Sequence, residues 1–556
     1  VRLLDRVSNV EAELETALGE LKGLELIYEK AYYPELSYMF KHALTHEVAL
    51  STLLVERRRA LHRIVAAAIE ELYSDRLPEQ YEALAHHYYE GQAWEKALDY
   101  LEKAGDKAGA TYANQDAIEY YRRALEVGEK LGDDALSASA RVAEKQLWVY
   151  YTIGDFGGAR KAAASMLGAA RGLEDQQAEG KALALAGMVE LYDHEHEMAE
   201  ETLRAALALA DQHDLAETRF QATVFLAANF LTLGDLRQSE RLLTEAEGMV
   251  DASSEPFARW LFPFGRAVLL GWAGQFDSGI EILDRLRGAQ EEQQVMAVVQ
   301  DRWWEGILHA GRGEYQRALA LWDEVLPFCE RTGELQIRIR TMNSIGWVYH
   351  ELGDDERALE WNRRGVDEAV AAGFPDPECE SNARLNVGDS LLALGRLDEA
   401  EEQLAHVERI VRDPRPHDRW ALWSYAQHLC HSYGELCLAR RQYDKALSYA
   451  DECIERAEAT GRRKNIVKGR RLRGQALLAT GDLAAAEREL LPALEIAREI
   501  GNPPQLWKTY VALGDLREKQ GRAEDARAAY RNAFSVIENV AAALTDESLR
   551  ETFLTS

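Results

Sequence analysis

Apolar residues recur along this chain at helical spacing, and the polar residues between them do not alternate with them as they would in strands. Between Pro78 and Pro256 there is no proline at all. A stretch of that length without proline or alternating β-branched runs predicts helix after helix. The apolar pattern is also periodic on a larger scale. A turn of the form Gly-x-[Phe/Leu/Tyr]-x-x-[Ala/Ser/Gly] begins at Gly154, Gly234, Gly274, Gly313, Gly395 and Gly481, with looser copies at Gly353 and Gly521. Successive glycines stand 80, 40, 39, 40, 42, 86 and 40 residues apart, so the unit is near 40 residues and two copies have lost their glycine. His194 to Ala199 fills the first gap and Arg441 to Ala446 the second.

Seven residues before each turn a second small residue recurs, at Gly187, Gly306, Gly346, Gly388, Gly434, Gly474 and Gly514. Glycine in mid-helix costs up to about 1 kcal/mol of helix propensity and is sensible only where another helix crosses closely. The turn glycine supplies a backbone conformation that other residues disfavour. The small residue five positions after it lets the second helix pack on the first. Ala97, Ala117, Ala159, Ala199, Ser239, Gly279, Ala318, Ala358, Ala400, Ala446, Ala486 and Ala526 mark twelve such second helices, and the short step from Ala97 to Ala117 implies a truncated unit.

These anchors, as in Ile345-Gly346-Trp347-Val348-Tyr349 followed by Gly353 and Ala358, resemble the tetratricopeptide repeat over about residues 77–536. The usual period of that repeat is 34, so each pair here carries more than one extra helical turn. HEAT-type repeats share the longer period but would not place both glycines so regularly. The resemblance implies an all-α, right-handed α-solenoid of about eleven or twelve helix pairs. The expected organisation is a helical winged-helix or linker remnant at 1–75, partly truncated units at 76–135, a regular array at 136–536 and a capping helix at 537–556.

Two flanking segments carry a second resemblance. Tyr38-Met39-Phe40-Lys41-His42-Ala43-Leu44-Thr45-His46-Glu47-Val48-Ala49, with Glu56 to His62 after it, is similar to a junction in bacterial multidomain signalling proteins. There an AAA-like or STAND ATPase, often behind a class III adenylate or guanylate cyclase, passes through a winged-helix region into a tetratricopeptide array. Asn539 to Leu554 resembles the closing helices of the same group. This implies a regulatory C-terminal region, and the N-terminus, which lacks a starting Met, agrees with a fragment.

Composition narrows the function. With 29% charged and 47% hydrophobic residues the chain has enough apolar material to fold. Its 65 basic and 95 acidic residues leave a net charge of -30, which opposes binding to nucleic acid or an anionic membrane. Five scattered cysteines without a paired framework and no apolar run of membrane-spanning length predict a cytoplasmic protein.

No catalytic motif accompanies the repeats. Gly180-Lys181 is followed by Ala182, so no phosphate-binding loop forms there. Asp193-His194-Glu195-His196-Glu197 and the group His428, Cys430, His431 and Cys437 have ligand-type side chains, but a solvated turn and buried small hydrophobes explain them better. His86-His87-Tyr88-Tyr89 reads as packing and surface. No metal, cofactor or enzymatic activity is expected of these residues.

The tetratricopeptide resemblance implies a concave groove lined by the first helix of each pair, at positions 2, 5, 9, 12 and 13 when the turn glycine is 15. That register selects Trp148, Tyr151, Tyr192, Phe264, Trp272, Trp303 and Trp347, then Arg340, Asn343, His350, Asn382, His428, His431, Lys468, Arg471 and Lys508. Aromatics at such positions anchor interfaces, although they also fill gaps between units. In the last five repeats positions 2 and 5 carry no acidic residue, which points to capture of an anionic group by Arg340, Lys468, Arg471 and Lys508. Asp389, Glu435 and Asp515 at position 9 could neutralise that row. The expected function is a protein-interaction or sensor module regulating an ATPase or cyclase. Its partner would be a protein or peptide, possibly a segment of the parent protein, or a small molecule. The alternatives are a transcription-regulator arm touching DNA through the winged-helix region and a passive assembly scaffold.

Overall fold

The recurring mid-helix glycines sit where helices cross most closely. In a computed structural model of the protein, a Cβ on Gly187 would meet Leu203 at 2.6 Å, one on Gly388 Leu404 at 2.9 Å and one on Gly474 Leu490 at 2.7 Å. Gly306, Gly346 and Gly514 abut Trp322, Asn362 and Tyr530 more tightly still. In all six the partner lies sixteen residues downstream on the second helix of the same pair. Gly434 departs from the rule and faces Leu472 on the next pair. The marker residues from Ala97 to Ala526 are all buried.

The structure describes residues 2–8, 14–31, 36–252, 256–288, 295–373 and 377–556. Val1 and parts of the 1–75 segment lie outside them. The chain forms two compact units, residues 1–150 with 161–175, and residues 151–160 with 176–556.

In the first unit, α1 (Arg2–Val7) and α2 (Leu14–Gly23) precede strands β1 (Ile27–Ala31) and β2 (Ser37–Phe40), followed by α3 (Ala43–Ser51) and α4 (Val55–Leu72). Then come α5 (Tyr81–Glu90), α6 (Trp94–Ala110) and α7 (Asn114–Leu131); α8 (Leu136–Thr152) and α9 (Phe156–Gly172) cross the unit boundary. The expectation that residues 1–75 are helical misses the antiparallel hairpin, in which Ile27 faces Phe40 and Tyr28 faces Met39. Five- and four-residue strands are too short for a period-2 signal to emerge. Ala97 on α6 and Ala117 on α7 show where the short step falls: two successive helices carry the small packing residue. Their core gathers Leu84, Tyr88, Tyr100, Leu101, Tyr121 and Val127. Glu70 on α4 accepts hydrogen bonds from Tyr88 (2.6 Å) and Tyr100 (2.5 Å), tying the N-terminal segment to the first repeat helices.

The second unit repeats one motif. Its pairs are α10 (Gln176–Tyr192) with α11 (His196–His213), α12 (Ala216–Leu233) with α13 (Leu236–Glu247), α14 (Pro256–Ala273) with α15 (Phe276–Gly288), and α16 (Val295–Gly311) with α17 (Tyr315–Thr332). They continue as α18 (Gln336–Glu351) with α19 (Asp355–Ala371), α20 (Pro377–Ala393) with α21 (Leu397–Arg412), and α22 (Leu422–Ala439) with α23 (Tyr443–Thr460). The last are α24 (Arg463–Thr480) with α25 (Leu483–Ile500) and α26 (Pro503–Lys519) with α27 (Ala523–Ala543), closed by α28 (Glu547–Thr555). The architecture is an all-α solenoid of helix pairs. Phe553 of α28 packs on Trp507 at 5.8 Å between ring centroids and covers the end of the apolar core.

This array coils back on itself. The Trp423 indole nitrogen donates to the Thr232 carbonyl at 3.0 Å across 191 residues, and Asn502 Nδ2 donates to the Gly311 carbonyl at 2.7 Å across the same separation. At a period near 40 that interval is just under five repeats. Gln316 Oε1 likewise accepts from the backbone of Thr545 and Asp546 at 2.8 and 3.0 Å.

Replacing Gly346 by leucine is expected to destabilise α18–α20 by about 1–3 kcal/mol, because the new side chain enters the space held by the fully buried Asn362. Amide exchange should rise in those helices first. Unchanged exchange and melting would show that the crossing has been assigned to the wrong residue.

Candidate functional site

The first helices of seven successive pairs, α14 to α26 in steps of two, line one cavity of about 690 Å³ in the second unit. Their lengths of 16–18 residues explain the reach of its walls. Trp272, Trp303, Arg340, Asn343, Trp347, His350, Asn382, His428, His431, Lys468, Arg471 and Lys508 all face it.

The remaining four register residues do not. Tyr151 and Tyr192 are buried against each other at 5.0 Å, with Phe257 and Trp420 beyond them. Phe264 stacks on Trp260 at 4.7 Å. Trp148 is half-buried on α8 in the first unit. For Tyr151, Tyr192 and Phe264 the groove expectation is corrected: they fill gaps between helices.

The cavity has an aromatic and a charged side. Trp272 meets Trp304 edge-on at 5.9 Å and Trp423 at 4.8 Å. Three cations lie over indoles: Arg340 over Trp303 at 5.6 Å, Arg462 over Trp272 at 5.6 Å and Lys464 over Trp347 at 4.6 Å. Such contacts contribute about 0.5–2 kcal/mol each and partly replace the lost hydration of the cation.

Six cationic side chains line the space, Arg340, Arg462, Lys464, Lys468, Arg471 and Lys508, against four carboxylates, Glu351, Glu378, Asp389 and Glu435. Arg340 pairs with Glu378 at 2.6 Å, and Lys508 with Glu351 at 3.3 Å. Two of the four cations expected to capture an anion are therefore already matched. Arg471 donates to Gln505 at 2.7 Å, a neutral acceptor, and Arg462 to Ser424 at 2.6 Å. Among the described residues Lys464 and Lys468 have no carboxylate within ion-pair distance. Asp389 binds His428 at 2.7 Å and Ser432 at 2.5 Å, while Asp515 leaves the row to accept from Tyr530 at 2.7 Å.

Titration follows from this crowding. Burial pushes the Lys464 ammonium down to about 7, and repulsion from Lys468 adds to it while Glu351 opposes it. Burial also lowers Lys468 and Arg471, and lowers Arg462 to about 10. Burial works against the Glu351 charge, but Lys508, Lys464, His350 and Lys468 overcome it and hold the carboxyl at about 2. Burial likewise opposes Asp389, and His428 and Lys468 reverse the effect to hold it far below the carboxylate range. Burial and nearby Lys468 keep the His431 ring well below its ordinary value. The result is a space with desolvated positive charge left over.

The register overlooked Glu378, Ser424 and Lys464, which share a signal: each lies four residues before position 2, one helical turn earlier. The lengthened first helix carries that extra turn into the cavity. Glu351 occupies position 13 and was within reach of the same count.

The other candidate clusters resolve differently. His196 Nδ1 lies 2.8 Å from Asn229 Oδ1 and its ring stacks on Trp420, with His194 edge-on to the same indole. Cys430 and Cys437 are buried free thiols. Among the described residues, only His62, His86 and His87 bring three potential metal ligands together.

Family models described as tetratricopeptide repeat match residues 303–367 and 508–539. The array contains tetratricopeptide repeats. No curated protein matches the chain. Among solved structures, a Rap protein complexed with competence and sporulation factor is similar at a TM-score of 0.50 and 14% identity, covering 66% of this chain and 99% of the other. The Cut9–Hcn1 hetero-tetramer of APC/C is similar at a TM-score of 0.45 and 12% identity, covering 92% and 94%. At 14% identity the likeness to the Rap protein is one of fold. Among the described residues no helix is long and apolar enough to cross a membrane.

Proposed function

We propose that the second unit is a ligand-sensing, protein-interaction module that captures a short peptide segment or a small molecule in its interior cavity. The observation that carries this reading is the cavity itself, where seven helices converge aromatic rings and unmatched cations. Its volume lies within the roughly 300–1,000 Å³ of small-ligand sites. A cylinder about 10 Å across with that volume is about 9 Å long, room for about six helical residues. A folded partner would have to present one short segment.

The leftover charge favours an occupant with an anionic group, held by Lys468 and Arg471 through charge-assisted hydrogen bonds. The factor named in the Rap complex supports a bound partner factor as one form of occupant. The flanking resemblances at Tyr38 to Ala49 and Asn539 to Leu554 favour a regulatory arm of a bacterial signalling ATPase or nucleotidyl cyclase. In this reading the chain does no chemistry itself. Capture would bias the parent by whatever difference in affinity its two states show for the occupant.

Pull-down with the tagged chain, and native mass spectrometry for co-purifying small molecules, would identify the occupant. A Lys468→Glu, Arg471→Glu double variant and Trp303→Ala, each with an unchanged helical spectrum, are expected to lose it by more than about tenfold. An occupant retained by both would refute the cavity as its site.

A further inference from the structure

The geometry points to a transition-metal site in the first unit, built from His62 of α4 and His86 and His87 of α5. It is independent of the cavity. One ligand nitrogen from each ring lies within 4.8 Å of the other two. His62 Nδ1 and His87 Nδ1 are 2.9 Å apart. The ring centroids are separated by 5.7 Å for His62 and His86, 5.1 Å for His62 and His87, and 5.2 Å for His86 and His87.

Packing alone accounts poorly for this arrangement. Two nitrogens facing at hydrogen-bond distance need one proton between them, and a third ring adds nothing to that bond. Among the described residues no carboxylate hydrogen-bonds to any of the three imidazoles, so they form neither an ion pair nor a relay. Three imidazoles around one point are a ligand set. Zinc binds imidazole nitrogen at about 2.0–2.1 Å, and tetrahedral geometry then sets neighbouring nitrogens about 3.3 Å apart. The His62 and His87 nitrogens stand slightly inside that value at 2.9 Å, and all three ligand atoms lie within 4.8 Å of one another.

The frame around the rings is fixed from both sides. Arg63, next to His62, donates from Nη1 to the carbonyl of Gly91 at 2.8 Å. A Cβ on Gly91 would meet Arg63 Cγ at 2.8 Å, so the glycine permits the close approach of α4 to the end of α5. That approach brings His62 over His87. His62 and His87 are half-buried and His86 is exposed, which leaves an entry path and an open position for water.

An all-nitrogen donor set selects borderline divalent cations, Zn²⁺, Co²⁺, Ni²⁺ or Cu²⁺, over the oxygen-seeking Mg²⁺ and Ca²⁺. Bound there, the ion would staple the helix that ends the N-terminal segment to the first helix of the repeats.

The test uses the full chain with any affinity tag removed and residual metal stripped by chelator. Titration calorimetry with Zn²⁺ should show one ion per chain, Mg²⁺ should show none, and Co²⁺ should give the visible bands of a tetrahedral nitrogen site. His62→Gln and His86→Gln should each weaken Zn²⁺ by more than the roughly 100-fold that loss of an outer-shell partner costs. His213→Gln, a change at an exposed histidine elsewhere, should leave it unchanged. His86 is exposed, so its variant reads the metal without disturbing the core. Absence of a stoichiometric Zn²⁺ isotherm, or affinity unmoved in either His62→Gln or His86→Gln, overturns the site.

Discussion

Lys464→Met is expected to stabilise the unliganded protein at pH 7 by about 1–3 kcal/mol and to remove the rise in stability that this lysine contributes between about pH 7 and 10. The Lys464 ammonium sits over Trp347 with Lys468, Arg462 and Lys508 repelling it, and Glu351 offsets only part of that repulsion. Burial is the largest cause of its fall to about 7, from an ordinary value near 10.4. In that window Lys464 holds more of its proton in the unfolded chain than in the folded one, so this lysine makes folding more favourable as pH rises. At pH 7 and below, the folded state carries the full cost of the buried charge. Glu334 titrates in the opposite sense: burial raises its carboxyl to about 7, so its influence falls below this range. Urea midpoints at about pH 7 and about pH 9 would read the difference. Equal slopes in the two proteins would show that Lys464 is solvated. An anion entering the cavity should restore the Lys464 proton, so binding near pH 8 should take up protons, seen as a calorimetric heat that varies with the buffer's ionisation enthalpy.

The sequence pattern exposes the local geometry and hides the long-range one. Gly346 facing Asn362, and its counterparts at the same sixteen-residue interval, follow from a close crossing inside one helix pair, and a crossing of neighbours leaves a periodic signature. The first-helix register placed Trp303, Asn343, His428 and Lys468 on one wall for the same reason. It missed Glu378 and Lys464 because it was counted on a 34-residue unit, whereas these helices extend one turn further. Tyr151 and Phe264 went astray because an aromatic at a groove position and one at an inter-helix gap obey the same spacing; only the curvature of the array separates them. His62 and His87 belong to different helices on either side of a segment boundary, so no spacing rule joins them. The contact of Thr232 with Trp423 depends on superhelical pitch, a sum of small rotations over five repeats that no single repeat encodes.

The turn glycines provide the sharpest test of that pitch. Gly234 and Gly395 hold the same place in their repeats, with φ of +87° and +72°, so alanine at either costs about 1–2 kcal/mol for the left-handed backbone alone. Their surroundings differ. A Cβ on Gly234 would meet the Trp423 ring at 2.6 Å, whereas one on Gly395 has nothing within 4 Å. Gly234→Ala should therefore add an overpacking cost of about 1–3 kcal/mol to the backbone term, and Gly395→Ala should not. The displaced Trp423 also holds the cavity wall, edge-on to Trp272 at 4.8 Å and beneath Arg462 at 5.2 Å. Gly234→Ala should thus raise amide exchange at residues 421–424 and weaken any cavity occupant, although Gly234 does not line the cavity. Gly395→Ala should do neither. Equal destabilisation by the two variants, with exchange near Trp423 unchanged in both, would mean that contact between successive turns of the solenoid contributes nothing to its stability.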